Sequence, residues 1–355
     1  MNSATGRKPT KQINIGKVII GGGFPIAIQS MTNTKTADVE ATVTQIKALQ
    51  KAGCEIVRVS VPDRPSAAAF KDIKAQIDIP IVADIHFQAD LAVAAIKAGA
   101  DKIRINPGNI GGPEDIAKVV YAAAAADIPI RIGVNSGSLS KQVRARPAST
   151  AEKLADSALE NIGLFEESGF DNIVLSVKSS DVMETVKAYR LLSAKTDYPL
   201  HLGITESGTL ETGAIKSAIG IGLLLAEGIG DTIRVSLTAE PVHEIDIAKQ
   251  ILQALGIRRF NPEVISCPTC ARCEVDLIPI AEQLERHLKT HSKLVKVAVM
   301  GCVVNGPGEA ADADIGLAAG RGKGVIFSRG LAVKTIKETE FFAELIKMVD
   351  EFEVK

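Results

Sequence analysis

Four of the five cysteines lie in the C-terminal region, in patterns that can bind a metal. Cys267, Cys270 and Cys273 follow one another at three-residue spacing, and Cys302 lies in the glycine-rich segment GCVVNGPGEA, which also contains Glu309. Thiolates at Cys-x-x-Cys spacing bind zinc or iron–sulfur clusters. A thioredoxin-like dithiol is disfavoured because no βαβ context precedes Cys267. The spacing predicts a metal centre and leaves zinc and iron–sulfur open.

Composition restricts the class of protein that carries these cysteines. The chain has 355 residues, a net charge of −1, no Trp and 4% aromatic residues, which disfavours a nucleic-acid partner. It shows neither the apolar stretch of a secretory signal nor a run long enough to span a membrane. We therefore expect a cytoplasmic protein with no membrane partner, in a reducing compartment where clustered cysteines bind metal. The remaining cysteine, Cys54, is expected to be a small buried apolar residue.

The part of the chain before the cysteines repeats one pattern eight times. Short β-branched runs are each followed by a helical pattern, and several of these helical stretches end at Gly. The runs cover residues 26–31, 55–61, 80–86, 102–108, 128–137, 172–179, 199–206 and 231–237. Apolar parallel strands alternating with helices predict a (β/α)8 TIM barrel over residues 1–256. The leading segment QINIGKVIIGGGFP is expected to form a hairpin that closes the bottom of the barrel.

Charged and polar side chains lie at the carboxyl ends of these runs, where a barrel of this type places its active site. The candidates are Arg58, Asp84, His86, Arg104, Asn106, Arg131, Asn135, Lys178, Glu206 and Arg234. Five of them are cations from five different strands. Like charges in a cleft repel, and an uncompensated buried cation costs several kcal/mol. The set therefore predicts a strongly anionic ligand with two phosphate groups, since guanidinium forks match phosphate oxygens.

A second, smaller α/β domain is predicted over residues 262–355. A helix over residues 240–256 is followed by the segment IRRFNPEVIS, which we interpret as a ten-residue linker. Beyond the first cysteines, the pattern predicts a helix over 274–291, a strand over 294–300, short strands near ADIGLAAG and GVIFSRG, and a final helix from Glu338.

The motifs taken together carry a resemblance that covers nearly the whole chain. They are QSMTNTKTAD, ADIHF, RINPGN, GVNSGSL, GITESGT, ISCPTC and GCVVNGPGEA, in this order. In them the chain resembles the 4-hydroxy-3-methylbut-2-enyl diphosphate synthase family, iron–sulfur enzymes of the methylerythritol phosphate route to isoprenoids, in its short bacterial form. The resemblance implies a [4Fe-4S] cluster in a ferredoxin- or sulfite-reductase-like domain, with Cys267, Cys270, Cys302 and Glu309 as its ligands.

The resemblance also implies a reaction and its partners. The substrate would be 2-C-methyl-D-erythritol 2,4-cyclodiphosphate, opened and dehydroxylated with two electrons from reduced flavodoxin or ferredoxin. Glu206 is our candidate for proton delivery to the departing oxygen, the alternative being a salt bridge to Lys216 or Arg234. Asp84 and His86 are expected to orient hydroxyl groups of the substrate, or else to have a structural role. The predicted substrate-binding set also includes Thr205, Ser236, Ser266 and Asn305.

Cys273 departs from the family pattern and raises the question of the fourth cluster ligand. Four thiolates would saturate a cluster, whereas a carboxylate oxygen is a harder and more exchangeable ligand. This favours Glu309 as the ligand and Cys273 as an ordinary small side chain.

The connection between the two domains predicts a dimer. The helix over 240–256 runs about 25 Å away from the barrel mouth, and ten linker residues reach at most about 35 Å. We therefore expect a head-to-tail homodimer in which each cluster domain covers the barrel of its partner. Two rivals are a non-redox barrel enzyme resembling pteroate synthases with a structural zinc module, and a nucleic-acid-binding regulator, which the low aromatic content disfavours.

Overall fold

The computed structural model describes residues 6–289, 291 and 293–353. These residues form two compact units, one ending at Arg258 and the other beginning at Arg259. Residues 1–5, which belong to the stretch assessed for a signal, and Thr290, which belongs to the helix predicted over 274–291, lie outside the described residues. In the described part of the chain, every helix is too short or too polar to cross a membrane.

The first unit is a closed barrel of eight parallel strands preceded by a hairpin. Its strands are β1 (Ile13–Ile15), β2 (Val18–Ile20), β3 (Ala27–Met31), β4 (Ile56–Ser60), β5 (Ile81–Asp84), β6 (Lys102–Ile105), β7 (Ile130–Asn135), β8 (Ile173–Lys178), β9 (His201–Leu202) and β10 (Thr232–Ile233). The barrel sheet has the order β8-β7-β6-β5-β4-β3-β10-β9. A parallel bridge between Leu175 and Leu200 joins its two outer strands. The predicted TIM barrel is confirmed.

Helices connect successive strands of this unit. They are α1 (Val39–Ala52), α2 (Arg64–Lys74), α3 (Ala89–Lys97), α4 (Pro113–Ala125), α5 (Lys141–Arg144), α6 (Thr150–Glu166), α7 (Val182–Lys195), α8 (Leu210–Ala226) and α9 (Pro241–Ala254). Local signals explain their limits: Asp38 caps α1 by accepting a hydrogen bond from the Ala41 N–H, and α1 ends at Gly53 with φ 103°. Ser149 and Glu152 form a capping box at the start of α6.

The β1–β2 hairpin closes the amino-terminal end of the barrel. Ile13, Ile15 and Ile20 pack in one buried cluster with apolar residues at the starts of the barrel strands, among them Ala27 and Ile56. This apolar layer occupies the bottom of the barrel, so the polar side chains that follow along each strand lie above it, toward the carboxyl ends.

The second unit is a five-stranded sheet covered by helices. Its elements are β11 (Glu263–Ser266), α10 (Leu277–Leu288), β12 (Lys296–Met300), α11 (Gly306–Ala311), β13 (Ile315–Gly320), β14 (Lys323–Ser328), β15 (Leu331–Lys337) and α12 (Phe341–Glu351). The strand order is β11-β12-β13-β14-β15. β11 to β13 are parallel, and β14 and β15 continue the sheet antiparallel.

Three expectations for this unit need correction. The segment interpreted as a linker contains β11, which pairs along its whole length with β12, so fewer than ten residues are free to connect the units. β15 was not predicted, and the last helix begins at Phe341 after a 3-10 turn over Glu338–Glu340. β11 is recognisable only through its neighbour β12, because four residues such as EVIS show no decisive period.

Candidate active site

Strand register places charged and polar strand-end residues of neighbouring strands side by side. Asp84 is the register partner of Arg104, and Arg104 is the partner of Arg131. Asn135 is the partner of Lys178. Because side chains alternate along a strand, these residues point to the same interior face.

Asp84 is the centre of an ion-pair network on this face. Its carboxylate lies 3.2 Å from Arg104 Nη1, 3.8 Å from Arg58 Nε and 3.4 Å from His86 Nε2. Burial alone would raise the pKa of Asp84, but Arg58, His86 and Arg104 together hold it well below its usual range. Burial lowers the pKa of Arg58 to about 10. Asp84 is therefore a permanent anion that positions the surrounding cations, and half-exposed His86 remains accessible.

A second carboxylate, which sequence reasoning missed, reaches the mouth from helix α9. Glu244 is 3% exposed and forms ion pairs with Arg234 Nη2 and Nε at 3.1 and 3.3 Å. It also accepts hydrogen bonds from Ser30 Oγ and the Leu237 N–H. In the sequence PVHEID this glutamate looks like a solvent-facing residue of an amphipathic helix, so the pattern alone does not show that it is buried. Arg234, one of the two alternative partners considered for Glu206, is therefore already paired with Glu244.

Three further cations are buried without a carboxylate partner among the described residues. Lys102, Arg131 and Lys178 are 0%, 1% and 7% exposed. Burial lowers the pKa of each of them well below its usual range, and neighbouring guanidinium groups lower it further. For Lys178 these neighbours are Arg131, Arg58, Arg234 and Arg104, so the five predicted cations do converge at one place.

Several buried polar nitrogen atoms inside the barrel have no hydrogen-bond partner within the described part of the chain. They are the donors Arg131 Nε and Nη1, Arg104 Nε and Gln29 Nε2, together with His201 Nε2, whose role depends on the tautomer of the ring. Lys102 Nζ has only Gln29 Oε1 at 3.5 Å, and His201 Nδ1 is 2.7 Å from Thr232 Oγ1. Buried donors are normally satisfied, and unsatisfied ones are costly. These unsatisfied donors make the interior of the barrel the candidate site for a ligand that carries acceptor atoms.

Lys102 and His201 were not predicted, although a signal existed. Lys102 lies two residues before Arg104, so the strand period places both on the interior face. His201 interrupts the apolar run PLHLG in the same way.

Two glycines create the space for the long cationic side chains. A Cβ on Gly133 would lie 2.6 Å from Arg104 Nε. A Cβ on Gly203 would lie 2.6 Å from the carbonyl oxygen of Arg234 and 2.8 Å from Lys178 Nζ. The inward positions of β7 and of the segment after β9 are thus left empty for side chains from neighbouring strands.

The remaining predicted barrel residues lie in or beside the loops at the mouth. Asn106 is buried and donates to Ser138 Oγ at 2.7 Å, while its Oδ1 accepts from the Gly108 N–H. Glu206 is exposed in the loop after β9 and has a left-handed backbone with φ 52°, which is unusual for a non-glycine residue. Among the described residues Glu206 forms no ion pair. Thr205 lies beside Glu206 in the loop after β9, and Ser236 lies in the loop after β10. The Ser236 carbonyl accepts a hydrogen bond from Ser207 Oγ, which joins the two loops.

In the second unit, the sheet brings cysteines to one edge. Cys267 directly follows β11 and Cys302 follows β12, and these strands are parallel neighbours. The Gly301 N–H donates to Cys267 Sγ at 3.4 Å. A Cβ on Gly301 would collide with Cys273 Sγ and lie 3.6 Å from Cys267 Sγ, so both sulfur atoms lie against this glycine.

The other two cysteines are surrounded by groups that favour a thiolate. Backbone N–H groups of Asn305, Val304 and Gly306 lower the pKa of Cys302. Hydrogen bonds from Arg272 lower the pKa of Cys270, whose thiol also interacts electrostatically with that of Cys302. Metal ligation requires the thiolate form, so these surroundings favour ligands over inert thiols.

The donors fit an iron–sulfur cluster in chemistry but do not form a closed cage. Among the described residues, no three His, Cys, Asp or Glu side chains converge as a metal site. Glu309 is exposed in the first turn of α11, and Ser266 and Asn305 are exposed at the same edge of the sheet. Soft sulfur donors with backbone N–H groups directed at them are what such a cluster needs from a protein.

Comparison with known proteins identifies relatives of both units. The model of the GcpE TIM-barrel domain matches residues 10–249, and that of the GcpE protein C-terminal domain matches residues 263–351. The chain is 57% identical to a protein of Caldanaerobacter subterraneus subsp. tengcongensis over 97% of both chains. It is 56% identical to one of Clostridium perfringens over 97% of this chain and 99% of the relative. Both relatives are named 4-hydroxy-3-methylbut-2-en-1-yl diphosphate synthase (flavodoxin).

Solved structures of dihydropteroate synthases match about 70% of the chain. Dihydropteroate synthase from Stenotrophomonas maltophilia has a TM-score of 0.53 at 14% identity and covers 70% of this chain and 98% of its own. The enzyme from Coxiella burnetii has a TM-score of 0.51 at 12% identity, covering 69% of this chain and 97% of its own. At this identity the likeness supports the fold and carries no argument about activity.

Proposed function

The chain belongs to the GcpE family, and on this premise we propose that it converts 2-C-methyl-D-erythritol 2,4-cyclodiphosphate to (E)-4-hydroxy-3-methylbut-2-enyl diphosphate in isoprenoid precursor biosynthesis. The reaction is a two-electron reductive ring opening with loss of a hydroxyl group as water. The names of the relatives support reduced flavodoxin as the electron donor, with ferredoxin as the alternative.

One observation carries the substrate assignment. The barrel buries Lys102, Arg131 and Lys178 with no carboxylate partner among the described residues and leaves donors of Arg131 and Arg104 unsatisfied. Each phosphorus of a cyclic diphosphate keeps one ionisable oxygen, so the ligand brings two negative charges and several acceptor atoms. Binding it replaces unpaired buried cations by charge-assisted hydrogen bonds, the strong kind.

The residues of the barrel mouth would contact different parts of the substrate. Arg131, Arg104 and Lys178 bind phosphate oxygens, and Arg58 and Arg234 extend the cationic surface toward the loops. Asp84 fixes Arg58 and Arg104 and, with His86, can accept hydrogen bonds from substrate hydroxyl groups. Asn106, Asn135, Thr205 and Ser236 line the rim. Glu206 is exposed on its loop and can hold the proton that the departing oxygen requires.

The second unit would hold a [4Fe-4S] cluster through Cys267, Cys270, Cys302 and Glu309, with Ser266 and Asn305 beside it. When bound, this cluster supplies the two electrons that no side chain can provide. Cys273 donates its S–H to the Val275 carbonyl at 3.2 Å, which supports its assignment as a non-ligand. We further propose a head-to-tail homodimer in which the active site combines the barrel of one chain with the cluster domain of the other.

Substrate binding by Arg131→Ala tests this proposal. Calorimetry on the full-length protein should show at least about a tenfold weaker Kd than the unchanged protein, since a buried charge-assisted hydrogen bond contributes more than 1.4 kcal/mol. Arg190→Ala is the matched control, because Arg190 lies on α7 and pairs with Glu227 at the surface. An unchanged Kd for Arg131→Ala would contradict the assignment of this site.

A further inference from the structure

The thioether of Met31 lies between two of the cations proposed to bind the substrate. Met31 is the last residue of β3 and is half-buried. Arg58 donates to its sulfur from Nε at 3.0 Å and from Nη2 at 2.9 Å. Arg234 Nη1 approaches the same sulfur at 3.8 Å. A single sulfur atom therefore occupies the acceptor position between two guanidinium groups.

A thioether is a weak hydrogen-bond acceptor, so it holds these groups loosely. Among the described residues, the one ion pair of Arg58 is with Asp84 at 3.8 Å, while Arg234 has Glu244 as its carboxylate partner. A charged phosphate oxygen can replace the sulfur as the acceptor, because only the weak hydrogen bonds to the thioether are lost. The acceptor strength of the atom at this position thus decides whether the two guanidinium groups are available to a ligand.

We propose that Met31 is a site of oxidative modification that closes the anion-binding site of the barrel. Hydrogen peroxide transfers one oxygen atom to Sδ. Its O–O bond breaks and an S–O bond forms, so that the sulfur is oxidised by two electrons and the other oxygen atom of the peroxide leaves as water. The product is a polar sulfoxide, whose oxygen is a far stronger acceptor than the thioether. It accepts hydrogen bonds from Arg58 and Arg234 and so competes with the substrate for both.

The surroundings distinguish Met31 from the other methionines that the structure describes. Among the described residues, Met31 is the one methionine whose sulfur accepts hydrogen bonds from a guanidinium group. Met183 is 45% exposed on α7, Met300 is 2% exposed, and Met348 is partly buried against the core of the second unit. Oxidation of Met183 changes a surface side chain only. Oxidation of Met31 changes an acceptor inside the site, so it has a specific consequence for ligand binding. The inference rests on the proposed function, because it takes Arg58 and Arg234 as substrate ligands.

Three variants and one oxidant test the proposal. Full-length protein is treated with hydrogen peroxide, the peroxide is removed, and peptide mass spectrometry measures the addition of one oxygen atom at each methionine. Calorimetry then gives the Kd for the cyclic diphosphate. We expect treatment to weaken binding about tenfold, or 1.4 kcal/mol, in the unchanged protein and in Met183→Leu. Met31→Leu should keep its own untreated Kd, and Met31→Gln, whose amide oxygen imitates the sulfoxide, should bind weakly before treatment.

The design separates this inference from damage to the cluster and from the proposed function. Peroxide acts on cluster ligands equally in all variants, so only a difference between the unchanged protein and Met31→Leu counts. Equal losses in these two proteins, or full affinity in a protein whose Met31 is oxidised, would overturn the inference. Failure of the untreated protein to bind the cyclic diphosphate would instead remove the proposed function, and the inference with it. Incubation with a methionine sulfoxide reductase should restore the original Kd.

Discussion

Lys102 illustrates at the level of a single residue why we propose a ligand inside the barrel. Its ammonium group is fully buried beside Arg131 and Arg58, and within the described part of the chain its one hydrogen-bond partner is Gln29 Oε1 at 3.5 Å. The pKa of Lys102 is lowered well below its usual value by burial. When the pKa of a lysine is lower in the folded than in the unfolded state, the protein loses stability as the pH falls below the unfolded pKa, which is about 10.4. At neutral pH Lys102 therefore destabilises the ligand-free barrel.

Lys102→Met should raise the stability of the protein and weaken its affinity for the substrate. A methionine of similar length removes the buried charge, and the thermal midpoint of the barrel should rise, by an amount equivalent to about 1 kcal/mol or more. Differential scanning calorimetry from pH 6 to 10 should show the difference from the unchanged protein shrinking as the pH rises. Lys71→Met, at an exposed position of α2, is the control. A lower midpoint for Lys102→Met would show that Lys102 has a stabilising partner.

Cys273 and Cys302 differ in their surroundings although both lie near Gly301. Cys302 receives backbone N–H groups that lower its pKa, whereas Cys273 donates its S–H to the Val275 carbonyl. We expect Cys273→Ser to keep its iron and acid-labile sulfide after anaerobic reconstitution, and Cys302→Ser to lose both. The measurement is iron and sulfide content together with the visible absorption spectrum. Loss of the cluster in Cys273→Ser would make Cys273 a ligand and remove Glu309 from that role.

At the scale of elements, empty positions on the strands matter as much as charged ones. β7 carries Gly133 opposite the Arg104 side chain, and the segment after β9 carries Gly203 against Lys178 and the backbone of Arg234. A barrel interior is normally filled by side chains in layers. Here glycine on one strand leaves the volume that a long cation from another strand occupies, so the cations reach the centre of the mouth.

Gly203→Ala should impair both stability and substrate binding. The added methyl group would meet the carbonyl oxygen of Arg234, which cannot move without shifting strand β10, and would also press on Lys178 Nζ. Overpacking of this kind costs about 1–3 kcal/mol. Thermal unfolding and calorimetric binding measure the two effects. Gly222→Ala, on α8 with open space around its Cβ position, is the matched control and should leave binding unchanged and stability equal or slightly higher, because alanine favours a helix over glycine.

At the scale of the whole molecule, the pairing of β11 shortens the chain available between the units. The estimate from sequence assumed ten free linker residues, but Glu263–Ser266 are hydrogen-bonded to β12. The segment between α9 and β11 is therefore shorter than the ten residues from which the sequence predicted a head-to-tail homodimer, and the dimer stays a prediction.

Complementation tests the inter-subunit site. Glu206→Gln removes the proposed proton donor on the barrel, and Cys302→Ser removes a proposed cluster ligand. Each homodimer should be inactive, while mixed dimers contain one site with an intact barrel and an intact cluster domain. Co-expression with two different affinity tags should recover up to about half of the activity per purified mixed dimer. Mixed dimers without activity would place each complete site within one chain.

The sequence by itself determined the features that depend on local periodicity and covalent spacing. Eight β-branched runs with helical patterns between them predicted the barrel, strand-end cations such as Arg104 and Arg131 predicted an anionic ligand, and the cysteine spacing predicted a metal centre. These follow from the chain because strand alternation and short ligand spacings act over a few residues.

Only the tertiary structure decided which groups meet across long separations in the chain. Glu244 accepts a hydrogen bond from Ser30 although 214 residues separate them, and Met31 contacts Arg234 across 203 residues. The pairing of β11 with β12 likewise appears only in the folded sheet. Such contacts depend on which strands and helices become neighbours in the closed barrel or sheet, and the periodicity of a single segment carries no information about that.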